Sequence, residues 1–179
     1  MTGKAKVKLA TAWLDGCSGC HMSLLDVDEL LVALVEKVDL VYGPLVDAPE
    51  YPESVDVALV EGAVSSVGDQ KLAQTIRART KVLIALGDCA VTSNVPSMRN
   101  TIPVKKLLER VYVEGADAAP GVPKDGVPAL LRHALPLAEV VKVDIHIPGC
   151  PPKPGAIAHV LTSLLDGKKP ELKGLVKFG

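Results

Sequence analysis

Four cysteines are the residues of this chain most able to do chemistry: Cys17 and Cys20 in Gly16-Cys17-Ser18-Gly19-Cys20, Cys89 in Gly87-Asp88-Cys89-Ala90, and Cys150 in Pro148-Gly149-Cys150-Pro151-Pro152. As thiolates they are nucleophiles, redox groups and soft metal ligands. Four of them could make two disulfides, one redox-active CxxC beside two inert thiols, a tetrahedral zinc site, or the ligand set of a 4Fe-4S cluster. Zinc sites more often pair two short CxxC knuckles, and only one is present. A thioredoxin-type CxxC explains neither Cys89 nor the Pro-Gly-Cys-Pro-Pro turn. The flanks favour one 4Fe-4S cluster on Cys17, Cys20, Cys89 and Cys150. Gly16, Gly19, Gly87 and Gly149 leave backbone free to approach closely and to donate N–H groups towards cluster sulfides.

The elements around them alternate between strand and helix. Lys6 to Trp13 reads as a strand followed by a glycine-containing loop, and a helix is expected to begin at Ser23, with Ser23 as its cap, Asp26 in its first turn, and Leu24, Leu30, Leu31, Leu34, Val35 and Val38 at helical spacing. Val38 to Val41 is a further short strand. Val55 to Val60 is a buried-type strand, Glu61 to Ser65 a loop, and Ser66 caps a helix whose apolar side carries Leu72 and Ile76. Lys81 to Leu86 and Val143 to Ile147 are two more strands, each running directly into a cysteine loop, and a last helix covers about Pro154 to Leu165, with Pro in its first turn. The prolines and glycines between Asn94 and Leu137 predict an irregular, partner-facing insertion with short helices near Val104 to Val111 and Val127 to His133.

Alternating strands and helices predict an α/β fold, a flavodoxin-like three-layer domain with a parallel sheet. All strand-to-helix loops then leave one edge of the sheet, where open α/β sheets bind ligands. All four cysteines fall on such loops. The 179 residues, 48% of them hydrophobic, suffice for one domain spanning 1–179. With aromatic content of only 3%, the core must come from Val, Leu, Ile and Ala, which suits a sheet covered on both faces.

Lys plus Arg number 20 and Asp plus Glu 21, a net charge of −1, so nothing draws the chain to nucleic acid or anionic lipid. No stretch reaches the roughly 20 apolar residues that span a bilayer, and Met1 to Lys8 carries neither twin Arg nor an apolar leader, so a cytoplasmic protein without membrane insertion is expected. In a reducing compartment the thiols are ligands or redox groups rather than disulfides.

Three motifs in order, Trp13-Leu14-Asp15-Gly16-Cys17-Ser18-Gly19-Cys20, Gly87-Asp88-Cys89-Ala90 and Pro148-Gly149-Cys150-Pro151-Pro152-Lys153-Pro154, resemble the small subunits of NiFe hydrogenases, relatives of the cluster-bearing quinone-site subunit of respiratory complex I. The resemblance runs over residues 7 to 165. It implies that the four cysteines bind the proximal 4Fe-4S cluster, which takes electrons from a Ni-Fe centre in a separate large subunit. Complex I relatives have adjacent cysteines in the first motif, whereas Cys17 and Cys20 are separated here as in the hydrogenases. Gly16 stands where many respiratory small subunits have Glu, and the chain lacks their extension for two further clusters. These departures resemble the cytosolic NAD-reducing enzymes, whose small (delta) subunit works with diaphorase-side iron-sulfur and flavin subunits carrying FMN and binding NAD. An F420-reducing hydrogenase small subunit, a complex I type cluster subunit and a zinc-stabilised docking module are the alternatives.

Glu61, in Val60-Glu61-Gly62-Ala63, matches a family motif whose acid lies near the cluster, and is read either as a proton relay or as a carboxylate favoured near the following helix. Asp15 and Asp88 read as hydrogen-bonding or solvated neighbours of the cysteines, Trp13 as a buried strand aromatic, and His21 as a non-ligand. His133, His146 and His159 lack metal-like spacing. No GxGxxG or Walker-type loop is present, so the chain is not expected to bind a dinucleotide or ATP by itself.

Overall fold

The computed structural model describes residues 6–179, so the part of the targeting expectation that rests on Met1 to Ala5 lies outside the described residues. Strand β1 is Val7–Trp13, followed by helices α1 (Gly19–Leu25) and α2 (Glu29–Val35), then β2 (Val38–Tyr42) and β3 (Val55–Glu61). A short β4 (Val64–Ser66) leads into α3 (Val67–Arg79), β5 (Thr80–Leu86) and α4 (Asp88–Thr92). After a 3₁₀ turn at Val95–Thr101 come α5 (Val104–Glu109), β6 (Leu130–Leu135), β7 (Ile145–Ile147) and α6 (Pro154–Leu165).

Five strands form a wholly parallel sheet in the order β2-β1-β3-β5-β7. Leaving aside the two strands outside this sheet, that is the flavodoxin-like order, with the first strand between the second and third. The period of two sorts the strand side chains into two cores. Ala10, Ala12, Ala58, Val60, Leu83 and Ala85 face Ala73 and Ile76 of α3 and Ala90 of α4. Leu9, Val57, Leu59, Ile84, Leu86 and Ile147 face α1, α2 and the Ile157, Val160 and Leu161 stripe of α6. Sheet strands buried on both faces need continuous apolar runs, and VDVALV and KVLIAL supply them.

Helix α3 starts where Ser66 predicts. Ser66 Oγ accepts the Asp69 N–H at 3.1 Å and Asp69 Oδ2 accepts the Ser66 N–H at 2.8 Å, a reciprocal capping box. The first crossover differs from expectation. Its helix begins at Gly19 rather than Ser23, and Asp28, at φ 55°, divides it into α1 and α2. A short polar side chain tolerates that left-handed backbone better than most. Ser23, expected as a cap, lies buried within α1 and donates its hydroxyl to the Pro152 carbonyl.

The Asn94–Leu137 stretch is also more ordered than an irregular insertion. Instead of a helix near Val127 to His133, Leu130–Leu135 pairs antiparallel with β4. Asn100 fixes it from the side, accepting the Ala134 N–H at 2.7 Å and donating to the Ala134 carbonyl at 2.9 Å. A strand wins here because β4 offers free backbone partners that local pattern cannot reveal.

At the opposite end of the sheet from the cysteine loops, Asp144 Oδ2 accepts from the Leu83 N–H at 2.8 Å and from Arg77 Nη1 at 2.6 Å. Burial works against its charge, but the Leu83 N–H and Arg77 outweigh it and hold the carboxyl below its ordinary range. A depressed folded pKa contributes stability that is complete above the unfolded value near ~3.9 and is lost as pH falls through the folded value. Asp144→Asn should therefore cost about 1–3 kcal/mol in urea unfolding at pH 7, with the gap to the parent narrowing on acidification towards pH ~3.

Candidate functional site

One cross-strand row sets the site. Trp13 pairs with Glu61, Glu61 with Leu86, and Leu86 with Ile147, so β1, β3, β5 and β7 all reach their carboxyl ends at the same level. The chain leaves this level through Leu14-Asp15-Gly16-Cys17, Gly62-Ala63, Gly87-Asp88-Cys89 and Pro148-Gly149-Cys150. The four cysteines, separated by up to 133 positions, follow strands that end at this level, and all four thiols are free. Cys17 and Cys150 are exposed, and Cys20 and Cys89 half-buried.

Backbone contacts lock the loops together. Leu14 N–H donates to Glu61 O, and Asp15 and Ala63 exchange N–H donors at 3.0 and 2.8 Å, tying the Cys17 loop to β3. Gly62 sits there at φ +87°, where a Cβ would meet Leu14 and Asp15 backbone atoms at 2.8–2.9 Å, so only glycine fits. Across the rim Gly87 N–H donates to Ile147 O at 2.8 Å, Asp88 N–H to Gly149 O at 2.9 Å, and Gly149 N–H to Asp88 Oδ1 at 2.6 Å. Gly87 and Gly149 therefore spend their N–H groups on loop-to-loop ties, not on a bound group as expected. Close approach is their contribution: a side chain on Gly87 would run into the Cys20 sulfur, and one on Gly19 would lie 3.2 Å from Cys17 Sγ.

The thiols feel one another. Burial raises Cys20 far above the ordinary thiol range, with the charges of Glu61, Cys89, Cys17 and Cys150 adding to it. Burial is also the largest cause of the rise at Cys89, followed by Cys150 and Cys17, and only the Val95 N–H works in the other direction. Four anionic sulfurs gathered in half-dry surroundings are unfavourable without positive charge between them, which a metal centre supplies. Among the described residues, no three His, Cys, Asp or Glu side chains converge on a point that would hold a single metal ion.

Glu61 is 2% exposed. Its Oε2 accepts the His21 N–H at 2.8 Å, so the acid from β3 stabilises the first turn of α1, the helix that carries Cys20. The His21 ring lies on the same oxygen, Nδ1 at 2.9 Å, without the direction of a hydrogen bond. Asp88 is buried and Asp15 exposed. Trp13, expected to be buried, is half exposed, its Nε1–H donated to Gly16 O at 3.0 Å. Ser23 joins α1 to the Cys150 turn, a role that sequence reasoning misses because its partner lies 129 residues away and no local pattern points to it.

A family model described as NADH ubiquinone oxidoreductase, 20 Kd subunit, matches residues 17–164, from Cys17 to beyond Cys150. The chain belongs to this family. Among relatives of the 20 Kd subunit family, the delta subunit of the NAD-reducing hydrogenase HoxS of Cupriavidus necator is 42% identical over 170 residues, 92% of this chain and 81% of its own. A subunit of the F420-non-reducing hydrogenase vhu of Methanocaldococcus jannaschii is 39% identical over 168 residues, 93% of this chain. The match spans only 58% of that relative's length. A crystal structure of an NAD+-reducing [NiFe]-hydrogenase in the H2-reduced state contains a chain that superposes with a TM-score of 0.93 at 38% identity, covering 98% of this chain and 100% of that one. The [NiFeSe] hydrogenase from Desulfovibrio vulgaris Hildenborough, at 18% identity and a TM-score of 0.60, shares the fold.

Gly87→Ala should push the Cys20 sulfur out of its place, because φ +83° already disfavours a side chain and the new Cβ would collide with the sulfur. Native-state thiol titration of the metal-free chain should show Cys20 reacting several-fold faster than in the parent. Gly155→Ala, where nothing lies within 4 Å, should leave the titration unchanged.

Proposed function

We propose that the chain is the electron-transfer small subunit of a NiFe hydrogenase, and that Cys17, Cys20, Cys89 and Cys150 hold one 4Fe-4S cluster in a single domain spanning 1–179. The observation that carries this reading is the common level of Trp13, Glu61, Leu86 and Ile147, from which the cysteine loops depart. The donor set fits the group: four free thiols, raised thiol pKa values at Cys20 and Cys89, and a glycine that makes room for the Cys20 sulfur.

When bound, the cluster supplies one-electron storage between a hydrogen-activating centre and an acceptor. The protein's own work is to hold and shield. The sheet fixes the four loops, Glu61 and Ser23 anchor the helix of Cys20, and the Asp88 ties keep the Cys89 and Cys150 turns in register. The burial of Glu61 and the His21 ring against its carboxylate support its reading as a proton relay.

Exposed Trp13, Met22, Val95 and Met98 stand beside the cysteine loops and suit an apolar partner surface. We assign that surface to a large subunit carrying the Ni-Fe centre. The 94–137 stretch, with exposed Ile102, Val111, Tyr112 and Val113, faces diaphorase-side iron-sulfur and flavin subunits that carry FMN and reduce NAD. No helix among the described residues is long and apolar enough to cross a membrane, and a cytoplasmic location agrees with NAD as acceptor. The likeness to the Methanocaldococcus jannaschii protein favours a second reading, the same role with an acceptor other than NAD.

Purified with its native partners, the chain should contain about four iron and four acid-labile sulfide per copy, and the assembly should reduce NAD with hydrogen. Reconstituted with iron and sulfide apart from its partners, the Cys150→Ala chain should lose the 400 nm absorption that the parent chain shows, and the assembly carrying it should lose hydrogen-dependent reduction of both NAD and an artificial dye. Dye reduction without NAD reduction in the parent would select the second reading. Full iron in the Cys150 variant would refute the ligand set.

A further inference from the structure

Asp88 is 4% exposed, and both of its carboxyl oxygens are engaged by backbone N–H groups from distant parts of the chain. Oδ1 accepts from Gly149 at 2.6 Å and Oδ2 from Gly179, the last residue of the sequence, at 2.9 Å. We propose that Asp88 is a positioning residue that clamps the Cys89 turn to the Cys150 turn with one oxygen and, with the other, straps the closing segment of the chain along Cys150. The proposal rests on the reading of the four cysteines as cluster ligands.

Residue 88 adjoins Cys89 and residue 149 adjoins Cys150, so a bond between them sets two ligands at once. The bond is reciprocal, since Asp88 N–H donates to Gly149 O at 2.9 Å, closing a ring that neither turn could form alone. Beyond α6 the closing segment is anchored by Leu172 and Val176, which pack on the apolar core of the α6 face. It then passes alongside Cys150 so closely that a Cβ on Gly179 would lie 2.8 Å from Cys150 Cβ and 3.0 Å from its nitrogen. Between the Cys150 turn and the segment lies a cleft of about 260 Å³, bounded by Gly149, Pro152, Lys153, Val176 and Gly179. Cys150 is among the residues that line it. Holding the segment down therefore limits access to the one exposed ligand at that end of the rim.

A carboxylate presents two acceptor oxygens, one to each of the two N–H donors. In Asp88→Asn one side-chain atom becomes a donor and must face an N–H. The Gly149 contact sits inside a reciprocal pair of bonds, while the Gly179 contact is a single bond, so the strap should yield and the loop clamp survive. Asp88→Ala removes both. A chain ending at Val176 removes the strap alone.

The test uses the full chain in two states. In the metal-free protein, amide exchange at Gly149 and Gly179 should match the parent at Gly149 but lose protection at Gly179 in Asp88→Asn, and lose it at both in Asp88→Ala. After loading with ferrous iron and sulfide without oxygen, Asp88→Asn and the chain ending at Val176 should carry full iron yet surrender it to a chelator about tenfold faster, whereas Asp88→Ala should load incompletely. Rescue of loading by Asn but not Ala separates positioning from a general loss of stability. Parental exchange at Gly179 in Asp88→Asn, or parental chelation by the shortened chain, would overturn the strap. Parental exchange at Gly149 in Asp88→Ala would overturn the clamp. Should Asp88→Ala not fold, full iron and a parental chelation rate in Asp88→Asn would still refute the proposal. A parent chain that takes up no iron would instead sink the cluster reading, leaving the exchange results to judge the clamp.

Discussion

The register of the parallel sheet at its carboxyl edge is the constraint on which the rest depends. Trp13, Glu61, Leu86 and Ile147 are neighbours across four strands, and a parallel ladder allows no strand to slip by one residue without turning its side chains to the wrong core. Here both cores are apolar, but they are not equivalent. The α3 side takes Ala10, Ala12, Ala58 and Ala85, the α6 side Leu9, Leu59, Ile84 and Leu86. A one-residue slip would drive leucines into space shaped for alanines. Packing thus fixes the level at which each loop begins, and the loop lengths fix where each thiol arrives.

Above that level the site is held by backbone more than by side chains. Gly62 lets the Cys17 loop lie directly on β3, Gly87 makes room for the Cys20 sulfur, and Gly87 and Gly149 give their N–H groups to neighbouring turns. The few side chains that take part, Glu61, Ser23 and Asp88, each bond to backbone of another loop. Such ties hold the four loops together through the chain's own hydrogen bonds. Burial and mutual repulsion keep Cys20 and Cys89 difficult to ionise until positive charge is present.

The misjudged elements share a cause. Ser23 followed by Asp26 is a sound local start signal, yet the helix begins four residues earlier because Glu61 satisfies its first turn from another strand. Residues 130–135 carry no strand alternation, yet pair with β4 and are gripped by Asn100. Trp13 ends its strand at the rim instead of in the core, and an aromatic on an alternating run does not announce which end of the sheet it will meet. In the first two instances a partner remote in sequence outweighed a local preference of about 1 kcal/mol or less.

The sequence by itself determined the alternation of strands and helices, the capping box at Ser66, the apolar runs that demand a sheet covered on both faces, and the placing of each cysteine just after a strand. Those features are local, and short-range sterics and burial suffice to specify them. Tertiary structure alone decided that Glu61 caps the helix of Cys20, that Ser23 reaches Pro152, that residues 130–135 pair with β4, and that Asp88 joins two cysteine turns to Gly179. The physical reason is that a hydrogen bond between groups 40 to 129 residues apart leaves no periodic trace along the chain. It exists only once the wound sheet has brought the loops to a common edge.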